Sequence, residues 1–256
     1  MKIYRFLLDG RAAYGVLQEE KLHPLRGSVF DEFDIEPWGL PISEVRILPP
    51  SEPTKIVAVG VNYREHAEER GKALPAEPLL FLKPPSALIG PQDDILYPSA
   101  SQRVDYEGEL ALVIKKKASR LQEADRVEDF ILGYTCFNDV TARDLQDKDI
   151  QFTRAKSFDT FAAAGPCLAA GISPDNLHIK TFLNGKLRQS STTKSLIFSV
   201  PFLVRYISRI MTLLPGDIIT TGTPSGVGPM QPGDRVDVQI EGIGTLSNQV
   251  ALAGVP

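Results

Sequence analysis

Two acids separated by one glycine, Glu107-Gly108-Glu109, stand directly before an apolar run, residues 110–114. In an extended chain, alternation puts both carboxylates on one face, about 6.6–6.8 Å apart along the backbone. The run that follows is apolar on both faces and reads as a strand entering a core. Two like charges at such an edge repel each other and lose hydration. A bound divalent cation is the simplest remedy, and oxygen ligands suit Mg²⁺, Mn²⁺ or Ca²⁺. The plainer alternative is a solvated strand end that happens to carry two acids.

Other residues carry weaker signals of the same kind. Residues 62–69 predict a short helix, with Asn62 as its cap, on which His66 and Glu69 share a face. A carboxylate beside an imidazole fixes its tautomer and raises its basicity, which suits a water-activating base. Glu65 and Glu68 are alternative partners, and an exposed, charge-laced helix is the competing reading. Asp139 follows an apolar strand and is either a helix cap or a third oxygen ligand. Lys156 is either a pocket cation for an anionic intermediate or a surface lysine. The glycine-rich stretch 221–228 either cradles a carboxylate with backbone N–H groups or makes a plain tight turn. It lacks the Gly-Lys-Ser/Thr ending of a phosphate loop, and no nucleophile elbow, zinc pattern or dinucleotide fingerprint occurs.

The elements that must position these groups are short. Residues 3–8 and 13–17 read as two strands joined at Asp9-Gly10, and prolines then punctuate the chain to a Pro-rich linker at 49–53. His23, beside Pro24, reads as a turn residue. Strands are expected at 56–61, 79–82, 110–114, 132–137, 178–183, 217–221 and 235–240, with an Asn184-Gly185 hairpin turn. Helices are expected at 63–71, 124–130, 140–147 and 196–211. The 256 residues, 43% hydrophobic with net charge −4, suit a globular protein with a sizeable core. Basic residues are scattered, which argues against nucleic acid as a partner. Cys136 and Cys167 have no metal-type spacing and read as core residues in a reducing compartment. With no signal-like leader and no bilayer-length apolar run, a cytoplasmic protein without membrane contact is expected.

Together, the order and spacing of several segments resemble the fumarylacetoacetate hydrolase superfamily. They are Val59-Gly60-Val61-Asn62-Tyr63, His66 with Glu69, Phe81-Leu82-Lys83-Pro84, Tyr106 to Leu110, Asn138 to Asp144, Ala155 to Phe158 and Thr221 to Pro224. The resemblance runs from about residue 54 to the carboxyl end, and residues 1–50 resemble the small front domain of bacterial members. It implies a strand-rich α+β fold, a mixed β-roll with short helices plus a small amino-terminal α/β domain, and a homodimer. It also implies a divalent cation, most often Mg²⁺, on Glu107, Glu109 and Asp139. His66 and Glu69 match a water-activating pair on a lid helix, and Lys156 a lysine near the metal. Gln146 and Thr223 match substrate contacts, with Arg143 and Lys83 as supporting charges. The implied substrate is a 2-oxo acid of the acylpyruvate type. Hydrolysis of a carbon–carbon bond, through an enolate for which the ion acts as Lewis acid, is the expected reaction. Isomerisation or tautomerisation of hydroxymuconate-type dioates, decarboxylation of oxaloacetate, and metal-dependent binding without turnover are the alternatives.

Overall fold

A computed structural model describes residues 1–69, 71 and 73–254. Strands are the dominant regular structure, and among the described residues the α-helices are short: α1 Arg64–Glu69, α2 Arg143–Lys148, α3 Thr153–Lys156 and α4 Val200–Ile210. The expected strand-rich mixed sheets with few short helices are therefore present. The main sheet runs from the front of the chain to the site. Its order is Phe33–Ile35, Lys21–Gly27, Arg11–Gln18, Lys2–Leu8, Ala162–Ala169, Ile131–Asp139, Gly108–Ile114, Ile218–Thr220, Ile56–Gly60 and Leu79–Lys83. A five-stranded sheet, Lys186–Thr192, His178–Leu183, Arg235–Ile240, Gly244–Leu252 and Ile95–Tyr97, lies separate from it.

The front unit departs from the α/β expectation. Residues 1–50 contain strands and one 3-10 turn, Ile42–Glu44, and no α-helix. Lys2–Leu8 also pairs with Ala162–Ala169, so the front strands extend the main sheet. His23 lies in the Lys21–Gly27 strand and not in a turn, with Nδ1 at 3.0 Å from the Glu36 carbonyl. At Asp9-Gly10 both φ angles are positive, as a tight two-residue hairpin requires. The 124–130 helix is reduced to a 3-10 turn at Val127–Phe130. The 63–71 helix is α1, though Arg70 lies outside the described residues. Gly71, at φ +60°, donates its N–H to the Glu68 carbonyl at 3.0 Å, the left-handed stop read from the sequence.

The Gly108–Ile114 strand is buried along its whole length, as an apolar run on both faces demands. It pairs antiparallel with Ile131–Asp139, Gly108 facing Asn138 and Glu109 facing Phe137. On its other side Ile218–Thr220 accompanies it only from Ala111 to Val113. Beyond that point the partner strand peels away, and loops and side chains close the ladder around the acids.

Where the linker meets the roll, Asp217 collects five donors. Its Oδ1 accepts from the Thr54 N–H at 2.9 Å, the Thr54 hydroxyl at 2.7 Å and the Lys55 N–H at 3.2 Å. Its Oδ2 accepts from the Leu214 N–H at 2.8 Å and pairs with the Lys55 ammonium. This side chain is fully buried and starts the Ile218–Thr220 strand beside Ile56–Gly60. Asp217→Ala should lower unfolding free energy by about 3–5 kcal/mol, because it strands three backbone N–H groups at once. Urea denaturation measures the loss, and a change under about 1 kcal/mol would contradict the anchoring role.

Candidate metal centre and active site

Antiparallel register brings the three acids together. Residues directly opposite on paired strands present side chains to the same face. The pairing that sets Gly108 against Asn138 sets Glu107 against Asp139, whose N–H donates to the Glu107 carbonyl at 2.9 Å. Glu107, Glu109 and Asp139 thus share one face, at 6%, 2% and 1% exposure. One carboxylate oxygen from each lies within 4.8 Å of the others. Three converging hard oxygens fit a small divalent cation, and imidazole or thiolate has no part in the cluster. Asp139 is accordingly not a helix cap: α2 begins four residues later, and the Asp139 carboxylate is turned to this cluster.

Three cationic side chains already neutralise most of this charge. The Lys156 ammonium donates to Glu107 Oε2 at 2.8 Å and to Asp139 Oδ2 at 2.5 Å. The Lys83 ammonium binds Asp139 Oδ1 and donates to the Val140 carbonyl at 3.2 Å. Arg143 holds Glu107 Oε1 and Gln146 Oε1 through its terminal nitrogens, and its Nε donates to Asp105 Oδ2 at 2.8 Å. Burial favours the neutral form of Glu107, yet Lys156 and Arg143 outweigh it and hold its pKa well below the usual range. Burial lowers Lys83 to about 8, with Asp139 opposing the shift. For Lys156, Asp139 and Glu107 outweigh burial, and its pKa is raised.

Glu109 is the exception. Among the described residues no ammonium or guanidinium pairs with it; the Gly222 N–H stands 2.8 Å from Oε2, and the Thr220 side chain also favours the charged form. Burial first, then Asp139 and Glu107, push its carboxyl well above the ordinary carboxylate range. This uncompensated acid is what a bound cation would relieve. Because Lys156 bridges Glu107 and Asp139, an incoming cation must share or take over those oxygens.

A cavity of about 110 Å³ opens onto the acids. Phe81, Phe152, Val59 and Val61 form apolar walls, and His66, Arg143, Gln146, Lys156 and Thr223 also reach it. Lys83 does not: it lies behind Asp139, fully buried. His66 is buried on α1, and its Nδ1 stands 3.1 Å from Glu69 Oε2. Glu65 is held by the Ser191 and Ser195 hydroxyls, each at 3.0 Å at its nearest approach. In the neutral tautomer that donates Nδ1–H to Glu69, the lone pair lies on Nε2. Val61, at the turn into α1, sits at φ +54°. That conformation costs a β-branched residue about 1–3 kcal/mol and is held by its surroundings. Asn62 does not cap α1. Its amide crosses to the Phe198 and Thr221 carbonyls and accepts the Phe198 N–H at 2.8 Å.

Thr223 lines the cavity, and its hydroxyl is engaged within the protein. Its hydroxyl proton goes to the Gly108 carbonyl at 2.9 Å, leaving none for a substrate carboxylate in this arrangement. The stretch 221–228 does bind carboxylates through backbone N–H groups, and they are the chain's own: Gly222 donates to Glu109 and Gly226 to Glu69. Gln189, which sequence reasoning missed, is fully buried against Gly108 and Thr223. Gly108 is required because a Cβ there would stand 2.1 Å from Thr181 Oγ1.

Residues 55–251 match the fumarylacetoacetate (FAA) hydrolase C-terminal family, and residues 1–50 match the Rv2993c-like amino-terminal family. The chain belongs to the fumarylacetoacetate hydrolase family. It is 43% identical over 224 residues to oxaloacetate tautomerase YisK of Bacillus subtilis, covering 82% of this chain and 74% of that one. It superposes with TM-score 0.92 and 39% identity on 5-carboxymethyl-2-hydroxymuconate delta-isomerase from Mycobacterium smegmatis, over 99% and 100% of the two chains. It superposes with TM-score 0.82 and 28% identity on maleylpyruvate hydrolase from Sphingobium sp. SYK-6 in complex with manganese(II) and pyruvate, again over 99% and 100%. No helix among the described residues is long and apolar enough to cross a membrane.

The raised Glu109 carboxyl gives a signed prediction. A group whose folded pKa lies above its unfolded value stabilises at low pH, and that contribution fades as pH rises toward the folded pKa. Glu109→Gln cannot titrate and keeps an oxygen for the Gly222 N–H. Without metal, its thermal midpoint should gain on that of the unaltered protein from about pH 5 to about pH 8. The same variant should lose the rise that Mg²⁺ gives the unaltered protein. A difference in midpoint that does not change between the two pH values would contradict the unpaired-acid account.

Proposed function

We propose that this protein is a divalent-cation-dependent enzyme that moves a proton beside the keto group of a short 2-oxo dicarboxylic acid. Keto–enol tautomerisation of oxaloacetate is the leading reading. The observation that carries it is one small cavity with the acid triad and Lys156 together with an imidazole oriented by its own carboxylate. A relative named for oxaloacetate tautomerisation supports that substrate, and a cavity of about 110 Å³ suits a short acid.

Held by Glu107, Glu109 and Asp139, Mg²⁺ (or Mn²⁺ or Ca²⁺) would supply a Lewis acid for the keto oxygen. The chain's own residues account for the rest. Arg143 and Gln146 line the cavity, where their N–H groups can orient a carboxylate, and the Gln146 amide nitrogen has no partner among the described residues. His66 Nε2 takes the proton from the carbon next to the keto group. The C–H electron pair becomes the carbon–carbon double bond, and the carbonyl pair moves to oxygen. Glu69 stabilises the imidazolium that results, and His66 returns the proton to that oxygen. Lys156 places a fixed positive charge beside the developing anion. Phe81 and Phe152 keep water from the carbon, since both rings wall the cavity.

Hydrolysis of a carbon–carbon bond in an acylpyruvate is the second reading. The His66–Glu69 pair can equally deprotonate water, and a maleylpyruvate hydrolase shares the fold. The test follows decay of the enol form of oxaloacetate by ultraviolet absorbance with Mg²⁺ and with EDTA. We expect acceleration that EDTA abolishes and that His66→Ala reduces by roughly 10²–10⁴-fold. His66→Ala should keep the Mg²⁺-induced rise in thermal midpoint. A rate equal to that of Mg²⁺ in buffer would overturn the reading. Consumption of acetylpyruvate with release of acetate would transfer it to hydrolysis, and binding without any turnover would leave a small-acid binder.

A further inference from the structure

Gly108, between two of the acids, hydrogen-bonds at both its N–H and its carbonyl to side chains instead of a strand. Its N–H donates to Gln189 Oε1 at 3.0 Å. Gln189 Nε2 donates to Thr223 Oγ1 at 2.8 Å and to the Pro224 carbonyl at 2.8 Å. Thr223 Oγ1 donates to the Gly108 carbonyl at 2.9 Å and closes the ring. The Gln189 amide therefore uses both its protons and one oxygen lone pair on three neighbours, with no exposure to solvent.

That ring touches both halves of the site. At one end of the loop, the Gly222 N–H holds Glu109 Oε2. At the other, the Gly226 N–H donates to Glu69 Oε1 at 3.0 Å, the acid that orients His66. Gly226 sits at φ +93°, and a Cβ there would stand 2.2 Å from the Arg188 carbonyl, so the loop is pressed against the strand that carries Gln189. Five residues of one loop thus run from a candidate cation ligand to the base-orienting acid, and Gln189 pins them midway.

We infer that Gln189 is a positioning residue: its amide fixes the spacing of Glu107 and Glu109 through Gly108 and, through the Thr223–Gly226 loop, ties cation binding to the placement of His66–Glu69. The inference rests on the acid triad as a cation site and not on which reaction follows. Buried polar partners that orient ligands typically change metal affinity by roughly 10–100-fold when removed.

The test reads the Mg²⁺ concentration at half-saturation of the folded protein, by calorimetric titration, with Mn²⁺ as a second probe. Gln189→Met keeps length and bulk but makes none of the three hydrogen bonds. It should raise that concentration roughly 10–100-fold. Gln189→Glu keeps only the acceptor for Gly108 and should lie closer to Met than to Gln. Thr223→Val opens the ring and should act in the same direction, while Thr223→Ser should restore the response. This second pair decides the matter if Gln189→Met does not fold. A lower metal-free midpoint with an unchanged Mg²⁺ concentration, in Gln189→Met or in Thr223→Val, means ordinary core packing and overturns the inference. The unaltered protein separates the two claims. If Mg²⁺ never raises its midpoint, the cation site itself fails. If Mg²⁺ does and the variants respond alike, only the positioning role fails.

Discussion

The site depends on one pairing: Glu107 facing Asp139 across two buried antiparallel strands. Slip that register by one residue and Asp139 turns to the opposite face, away from Glu107 and Glu109. The fold defends the register from several sides. Asn138 Oδ1 accepts the Glu107 N–H at 2.9 Å, and Gly108 admits Thr181 at a distance that no side chain would allow. The partner strand on the other side stops at Ala111, so the acids emerge where the sheet opens. A scaffold that is apolar and rigid up to that point can carry charge immediately beyond it.

Charge at this depth is the second constraint. Burying three carboxylates is costly unless each is compensated. Lys156, Lys83 and Arg143 compensate Glu107 and Asp139 through direct contacts, while Glu109 has only uncharged donors, the Gly222 N–H and the Thr220 side chain, among the described residues. The cations of the cluster are therefore unevenly placed: all three pair with Glu107 or Asp139, and none of them pairs with Glu109. The same asymmetry prepares it for chemistry, because a cation bound there stands in one cavity with Lys156 and His66. It also explains how tautomerases, isomerases and hydrolases share the architecture, since each needs electron density to be drawn toward oxygen while a base works on carbon or water.

Much of this was legible in the sequence where the signal is local. The Glu-Gly-Glu spacing fixes two acids on one face without knowledge of the fold. The His66–Glu69 spacing fixes a helical pair, and Asn184-Gly185 fixes a hairpin whose residues both take positive φ. The late strand Arg235–Ile240 shows its alternation plainly and lies where it was expected. What was hidden is set by distant partners. Asn62 looks like a helix cap because caps are chosen locally, yet its amide is spent on residues more than 130 positions away. Lys83 is expected only as a supporting charge, and the fold shows it buried against Asp139. Gln189 stands in a strand of polar residues, so nothing in the pattern announces that it alone turns inward at zero exposure. The short helix expected at 124–130 is a 3-10 turn because its residues pack onto strands and α4, and the front unit proves all-strand because its first strand finds a place in the main sheet.

The most direct test of the account is a crystal structure of the protein soaked in Mn²⁺, read by anomalous scattering. The account predicts one strong peak bounded by carboxylate oxygens of Glu107, Glu109 and Asp139, facing the cavity that His66 lines. A crystal with millimolar Mn²⁺ and no peak among those three side chains, or a peak held by other residues, would contradict it.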